Sequence, residues 1–528
     1  MTTFNDTRVR PATTRPANPA GRYVLLWVQA VRRLHSSHAL DHALRLCRLF
    51  RKPLVVYEGL KLHYPWANAR HHTFLLEGMK DNASAAARLG VAYWPFVETP
   101  DQPGRGLVAR LAADACAVVT DDHPAYIVPA HNRALAAKCR VAVDLVDGNS
   151  LVPLALLGDK PVSAAAHLRP RIHARFAEAW ANRAAAEPDV PREAQSNLAA
   201  PFRTWNPAQD VRPFVAGLPI DQTVPPVPGV TGGTTAGRAV LAEFVSTRLR
   251  YYAEGRNQPD DPARGAASGL SPYLRSGHVG IQEVAETVLG SLAGWSLDDL
   301  NPRAKGKRDD FYCRDADVNG FLDEAVTWRD VGYQWHFRRN AECRTQSAEW
   351  KNPSRQMEKV PQFNFETMDF SPGGDRTLDV VLPVWARDSL RQHARDEREY
   401  LYTLDQFEAA DTHDPLWNAA QTELVRTGRI HNYLRMLWGK KVLEWSATPA
   451  QTYRVLEHLN NKYALDGRDP NSYSGILWCF GLFDRPWPPE RPVFGTVRFM
   501  SSANTAKKFK LAGYYEYVRR LTEGRAPA

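Results

Sequence analysis

The chain has 528 residues, 44% of them apolar, enough to bury a large core and to build two domains. Its net charge of +9 and pI of about 9.2 permit a polyanionic partner without requiring one. No apolar run reaches the roughly eighteen residues of a membrane span. The six cysteines (Cys47, Cys116, Cys139, Cys313, Cys343, Cys479) show neither CxxC nor Cys/His metal spacing, so no metal site is expected and a reduced, cytoplasmic compartment is.

Residues 1–21 are polar, rich in Pro, Thr and Arg, and lack the apolar stretch of a secretory signal; they are expected to be a disordered tail. From 22 to 160, β-rich runs alternate with helical patterns. YVLLWVQA (23–30), PLVVYEGL (53–60), VAYWPFVE (91–98), CAVVTDD (116–122) and VAVDLVDG (141–148) are the strand candidates. HALDHALRLCRLFRK, RHHTFLLEGMKDNASAAARLG and GRGLVARLAADA lie between them with helical apolar spacing. That alternation predicts an α/β domain with a parallel sheet covered on both faces. A GxGxxG after the first strand is absent, so no dinucleotide fingerprint is present.

Residues 161–237 read as a connection: one helix, AHLRPRIHARFAEAWANRAAAEP, then the Pro/Gly-rich PIDQTVPPVPGVTGGTTAG. From 238 to 528 strand patterns nearly vanish, and an all-α domain is predicted. Its helices include LAEFVSTRLRYYAEGRN, HVGIQEVAETVLGSLAGW, VNGFLDEAVTWRDVGYQWHFRRN and LPVWARDSLRQHARDEREYLYTLDQFEAA. Two polar, weakly periodic segments, 295–317 and 343–377, are long for loops of a packed domain.

The stretch from Thr412 to Arg498 sets Trp417, Trp438, Trp445 and Trp478 among Arg435, Asn460, Asp466, Arg468 and Asp469. Indoles interleaved with charge suit a large planar aromatic guest with polar edges. Trp438 and Trp445, seven residues apart, share a helix face, and Trp417 lies on the preceding helix, which a short TGR turn makes antiparallel. Such indoles either relay an electron or simply fill the core. Arg435 on an apolar face needs a carboxylate, which the Asp466–Asp469 loop offers. Asn460 is either an amide for the guest or a helix cap, and Asp466-Gly467 either a partner or a turn. SGLSPYLRSGHVG (268–280) is a weak phosphate cradle. Tyr251 and Tyr252 line the same cavity or pack. Arg491, Arg498, Lys507, Lys508 and Lys510, among aromatics, suit a nucleic-acid backbone or form a solvated basic helix end.

In this order the pieces resemble the class II cyclobutane pyrimidine dimer photolyases. The resemblance is densest at LPVWARDSLRQHARDEREYLYTLDQFEAADTHDPLWNAAQ (382–421), RMLWGKKVLEW (435–445), LDGRDPNSYSG (465–475) and RPVFGTVRFM (491–500), with GLSPYL (269–274) and FLDE (321–324) upstream and FLLEGMKDN (74–82) in the first domain. It implies the photolyase fold: a Rossmann-like α/β domain, with or without a second, antenna chromophore, and an all-α FAD-binding domain. It implies a monomeric enzyme in which light-excited reduced FAD donates an electron to a pyrimidine dimer flipped out of double-stranded DNA. Carried over by motif, Trp438, Trp417 and Trp445 would form the photoreduction chain, Asn460 would face the flavin's redox nitrogen, and Arg435 with Asp466 would be the neighbouring ion pair. Tyr252, Ser268, Leu270, Ser271 and Asp469 would contact FAD. Tyr433, Met436 and Trp478 would line the lesion pocket, with Arg491, Lys507 and Lys508 toward the DNA.

Departures gather around the lesion. Asp330 stands where the family has a dimer-binding Glu, His38 where it has a Trp, and Phe483 where it has a His. They make a photolyase-like blue-light receptor, or a DNA-binding flavoprotein with weak or no repair, the alternative reading.

Overall fold

The structure, a computed structural model, describes residues 3–260, 265–347 and 377–523. Six strands form one sheet: β1 (Val9–Pro11), β2 (Tyr23–Val28), β3 (Leu54–Leu60), β4 (Ala92–Val97), β5 (Ala115–Asp121) and β6 (Ala142–Val146). Their order is β1-β6-β5-β2-β3-β4, with β2 to β6 parallel. β2 and β5 are buried at every position, as a strand covered on both faces must be. Helices His38–Phe50 and Ala69–Leu89 start on the Ser37 and Asn68 side chains, which accept from Leu40 and His71 backbone N–H groups. Strand order reverses at β2, so a crevice opens between the carboxyl ends of β2 and β5, where ligands of such sheets bind.

The expected disordered tail is folded instead. Val9–Pro11 adds to the sheet antiparallel to β6, Val9 opposite Val146. Arg8 is buried and donates to the carbonyls of Asp147, Ser150 and Leu151, and Arg10 pairs with Asp122 at 2.8 Å. The segment orders because its guanidinium groups meet acceptors just past the ends of β5 and β6, not because it is apolar. A crossover helix, Val128–Lys138, was also absent from the sequence pattern; its amphipathicity is weak.

The connection from 161 to 237 is not a free linker. Leu168, Ile172 and Phe176 of the helix Ala165–Ala181 pack with Leu241, Phe244, Val284 and Phe321, while Trp205, Val211 and Leu218 pack against Leu60, Leu75 and Met79 of the sheet domain. Beyond Gly233 the regular elements among the described residues are all helices. The expected continuous helix over 382–410 is two, Val384–Gln392 and Leu404–Ala409. Between them Asp396 accepts from the Val493 N–H (2.9 Å) and pairs with the His393 ring (2.7 Å), which draws the backbone into a loop, and Thr403 recaps the second helix. The 295–317 segment is closed by Trp295, which donates to the Tyr312 carbonyl, and it packs on the helix Ala165–Ala181 through Trp295 against Trp180 and Tyr312 against Phe176, both at 5.1 Å. Most of 343–377 lies outside the described residues. No helix among the described residues is long and apolar enough to cross a membrane.

Candidate cofactor site and its indole row

Asp414 caps the helix Pro415–Thr427 by accepting from the Leu416 and Trp417 N–H groups, both at 3.0 Å. Gly428, at φ +68°, ends it, and Asn432–Trp445 returns alongside. This antiparallel pair brings the three indoles together. Trp438 and Trp417 are nearly parallel at 6.5 Å, and Trp417 meets Trp445 edge-on at 5.9 Å. Trp417 is 0% exposed, Trp438 3% and Trp445 2%. Two of the rings are fixed by hydrogen bonds: Trp417 Nε1–H donates to the Trp438 carbonyl (3.0 Å), and Trp438 Nε1–H to Gln421 Oε1 (2.9 Å). A buried indole normally finds such an acceptor.

Beside Trp438 lies the polar part of the site. Arg435 grips Asp466 with two hydrogen bonds, 2.7 and 3.2 Å, and reaches Asn460 Oδ1 at 3.2 Å. Asn460 donates its amide to Ser472 Oγ (2.6 Å), and Ser271 hydrogen-bonds to Asp466. Burial pushes the Asp466 carboxyl up, but the Arg435 guanidinium overrides it and holds the group below the usual carboxylate range. Asn460 is therefore no cap; it sits inside the helix Pro449–Tyr463. Gly467 lies so close to that helix that a Cβ would meet the Asn460 carbonyl at 2.7 Å, so only glycine lets the turn place Asp466.

The donor set fits a flavin. A guanidinium, a carboxylate, a carboxamide and a serine hydroxyl converge next to a wall of indoles, which matches a planar tricycle with polar edges. The other expected contacts are more dispersed. Leu270 is buried, and Ser268 Oγ accepts from the Leu270 N–H (3.4 Å), closing the turn at Gly269, φ +71°. Tyr252 packs edge-on against Phe244 and Phe321, with Arg256 over its ring.

Tyr433, Met436 and Lys440 follow helical spacing along one face of Asn432–Trp445. Tyr433 packs on Phe509 at 4.7 Å and carries Lys508 over its ring at 4.7 Å. Trp478 lies between two cations, Lys440 at 4.6 Å and Arg498 at 5.5 Å, and Arg498 also covers Trp487. Lys440 is fully buried and donates to the Cys479 carbonyl (2.8 Å); burial brings its pKa down to about 8. Sequence reasoning missed Lys440, although a lysine pair within the apolar LWGKKVLEW was a signal. Arg491 and Lys507 are exposed.

Two expected site residues have close partners of their own. Asp330 is 0% exposed, accepting from Ser150 Oγ (2.9 Å) and Arg329 (3.1 Å) at the seam with the sheet domain, and Oδ2 has no partner. Burial raises its pKa to about 7, against the pull of Arg329 and Ser150. Asp469 caps the helix Pro470–Trp478 and accepts the Tyr333 hydroxyl at 2.5 Å. The physical reason is shared: the helix Arg329–Ser347 packs tightly on Pro470–Trp478, where Gly332 lies against Pro470 and Asn471, and this turns both carboxylates into the seam.

The same turn feeds a second cavity. Arg468, at φ +66° and 2% exposed, leaves Nε and Nη2 without a hydrogen-bond partner. It lines a cavity of about 140 Å³ at the strand ends, with Trp27, Tyr57, Tyr64, Tyr126, His131 and Arg275.

No family model matches the chain. A deoxyribodipyrimidine photo-lyase of Methanothermobacter thermautotrophicus is 30% identical over 520 residues, 98% of this chain and 99% of that protein. A protein of the same name from Oryza sativa subsp. japonica is 31% identical over 528 residues, covering 97% and 90%. The crystal structure of a bacterial class III photolyase from Agrobacterium tumefaciens, 18% identical, superposes with a TM-score of 0.57 over 95% of this chain and 87% of that one, a likeness of fold.

Proposed function

Because the chain belongs to the deoxyribodipyrimidine photo-lyase family, and is thereby a lyase, we propose that it splits cyclobutane pyrimidine dimers in DNA under blue light, using reduced FAD held at Arg435, Asp466, Asn460 and Ser271. The observation that carries this is the Arg435–Asp466–Asn460 cluster lying against the Trp438–Trp417–Trp445 row. FAD bound there supplies the excited one-electron donor. The residues do the rest. Arg435 and Asp466 fix each other and hold charge at the cofactor's edge, while Asn460 is locked between Arg435 and Ser472. The buried indoles offer closely spaced, water-free steps for an electron moving inward. Trp478, supported from beneath by Lys440 and flanked by Arg498, offers a cationic stacking face for a flipped base, and Lys507, Lys508 and Arg491 supply backbone attraction.

The strand-end cavity suits a second, planar chromophore. Its aromatic walls, and the buried Arg468 guanidinium whose Nε and Nη2 have no hydrogen-bond partner, call for a ring system with an acceptor or acidic group. An absorption spectrum of the purified protein tests both sites: an oxidised-flavin band is expected, and an additional near-ultraviolet or blue band would mark the second. Reduced protein is then illuminated with a dimer-containing oligonucleotide. Restoration of the intact bases is expected. A flavin-loaded protein that restores none would sink the repair reading and favour the photolyase-like receptor, to which the buried Asp330 gives its support.

A further inference from the structure

The indole row continues past Trp445. Trp445, its outermost member, is 2% exposed, so a positive charge formed there is largely desolvated. Outward from Trp445 the structure places a compact aromatic group. The Tyr402 ring is 5.6 Å from it, edge-on, and the His413 ring 5.0 Å. The Tyr402 hydroxyl and His413 Nδ1 are 2.7 Å apart, and the His413 backbone N–H donates to the same hydroxyl at 3.0 Å. The Tyr402 N–H is tied to the Trp445 carbonyl at 3.2 Å, which fixes the phenol beside the indole. Tyr400 stacks face to face on His413 at 3.7 Å and is itself 37% exposed, so the group ends at the surface.

A phenol is hard to oxidise unless its proton leaves with the electron, and a hydrogen-bonded neutral imidazole is the acceptor that allows this. We propose that Tyr402 is the terminal redox residue of the row and that His413 is its proton acceptor. In the step, the oxidised Trp445 indole gains one electron and is restored. Tyr402 loses that electron together with its phenol proton, and His413 Nδ1 gains the proton. A thiol in solution then returns one electron, becoming a thiyl radical as its own proton goes to water, and His413 gives its proton back to the phenolate oxygen. The positive charge passes with the proton to His413, which is exposed to water, so back-transfer to Trp445 is disfavoured.

This rests on the flavin reading above, and the experiment separates the two. Flash excitation of the oxidised, flavin-loaded protein is followed by transient absorption and electron paramagnetic resonance in the parent, Tyr402→Phe, His413→Gln and Trp438→Phe. The parent should yield a neutral tyrosyl radical, Tyr402→Phe a tryptophanyl radical with a shorter life, and His413→Gln a tyrosyl that forms more slowly. A tryptophanyl radical as the final species in the parent, or a tyrosyl that survives Tyr402→Phe, would overturn the proposal. Trp438→Phe should abolish the radicals altogether; a protein without bound flavin, or radicals unchanged in that variant, would instead overturn the flavin reading. The hydrogen bond is read without light by nitrogen NMR of the His413 ring, whose Nδ1 chemical shift should move in Tyr402→Phe. An unmoved chemical shift would remove His413 as the acceptor.

Discussion

Two arginine–aspartate pairs in this molecule, Arg435–Asp466, partly withdrawn from water, and Arg329–Asp330, almost wholly so, behave in opposite ways. In the first, two hydrogen bonds join the groups, Asn460 and Ser271 complete them, and the carboxyl is held below its usual range. In the second, a single 3.1 Å contact between sequence neighbours leaves one carboxylate oxygen without a partner, and burial wins, lifting the pKa to about 7. Burial alone does not set a carboxylate's charge; the number and direction of its partners do. The first pair is built to stay ionised at the proposed flavin site, the second to titrate near neutral pH in a domain seam.

The comparison can be broken most forcefully at Arg435. Arg435→Leu strands the Asp466 charge, and a loss of about 2–4 kcal/mol in denaturant unfolding is expected, together with loss of retained flavin. Unchanged stability would mean that the pair is not electrostatically coupled. Asp330→Asn tests the opposite sign. The folded pKa of about 7 lies above the unfolded value, so the protonated carboxyl stabilises the fold fully in acid, and that contribution is lost as pH rises through 7. The variant should therefore be more stable than the parent by about 4 kcal/mol at pH 8, with the difference shrinking through the acid range and near parity only below about pH 4. Equal pH profiles in urea titrations would contradict the raised pKa. Asp330→Glu adds a methylene to a closed seam. A destabilisation of about 1 kcal/mol and no gain of repair are expected, whereas a large gain would show that the position reaches the lesion after all. The smallest effect belongs to Lys507→Ala with Lys508→Ala. Stability should hold within about 0.5 kcal/mol, while the slope of log affinity for DNA against log salt falls by roughly 1 to 2.

What could be read from the sequence was whatever a local pattern encodes. The five parallel strands stood out because each is a short apolar run between helical spacings. The indole pair Trp438/Trp445 followed from a seven-residue interval, and Arg435 declared its need for a carboxylate by lying on an apolar face. What escaped depends on partners distant in the chain. Val9–Pro11 becomes a strand only because β6 has a free edge, and Asp330 is held in the domain seam by Ser150, 180 residues earlier. Lys440 was overlooked because its acceptors are backbone carbonyls, which no side-chain pattern reveals. The break in the helix over 382–410 likewise depends on Asp396 accepting from Val493, 97 residues away.

The Asp466–Asp469 turn sends consecutive side chains to different places: Asp466 to Arg435, Gly467 onto the Asn460 helix, Arg468 into the strand-end cavity and Asp469 to the cap of the next helix. Four neighbouring positions therefore answer to four sets of constraints with no slack residue between them. Lengthening or shortening this turn by one residue would re-aim every one of those side chains at once. The proposed flavin site and the strand-end cavity are thus kept in phase by a tetrapeptide, and neither can be redesigned without repositioning the other.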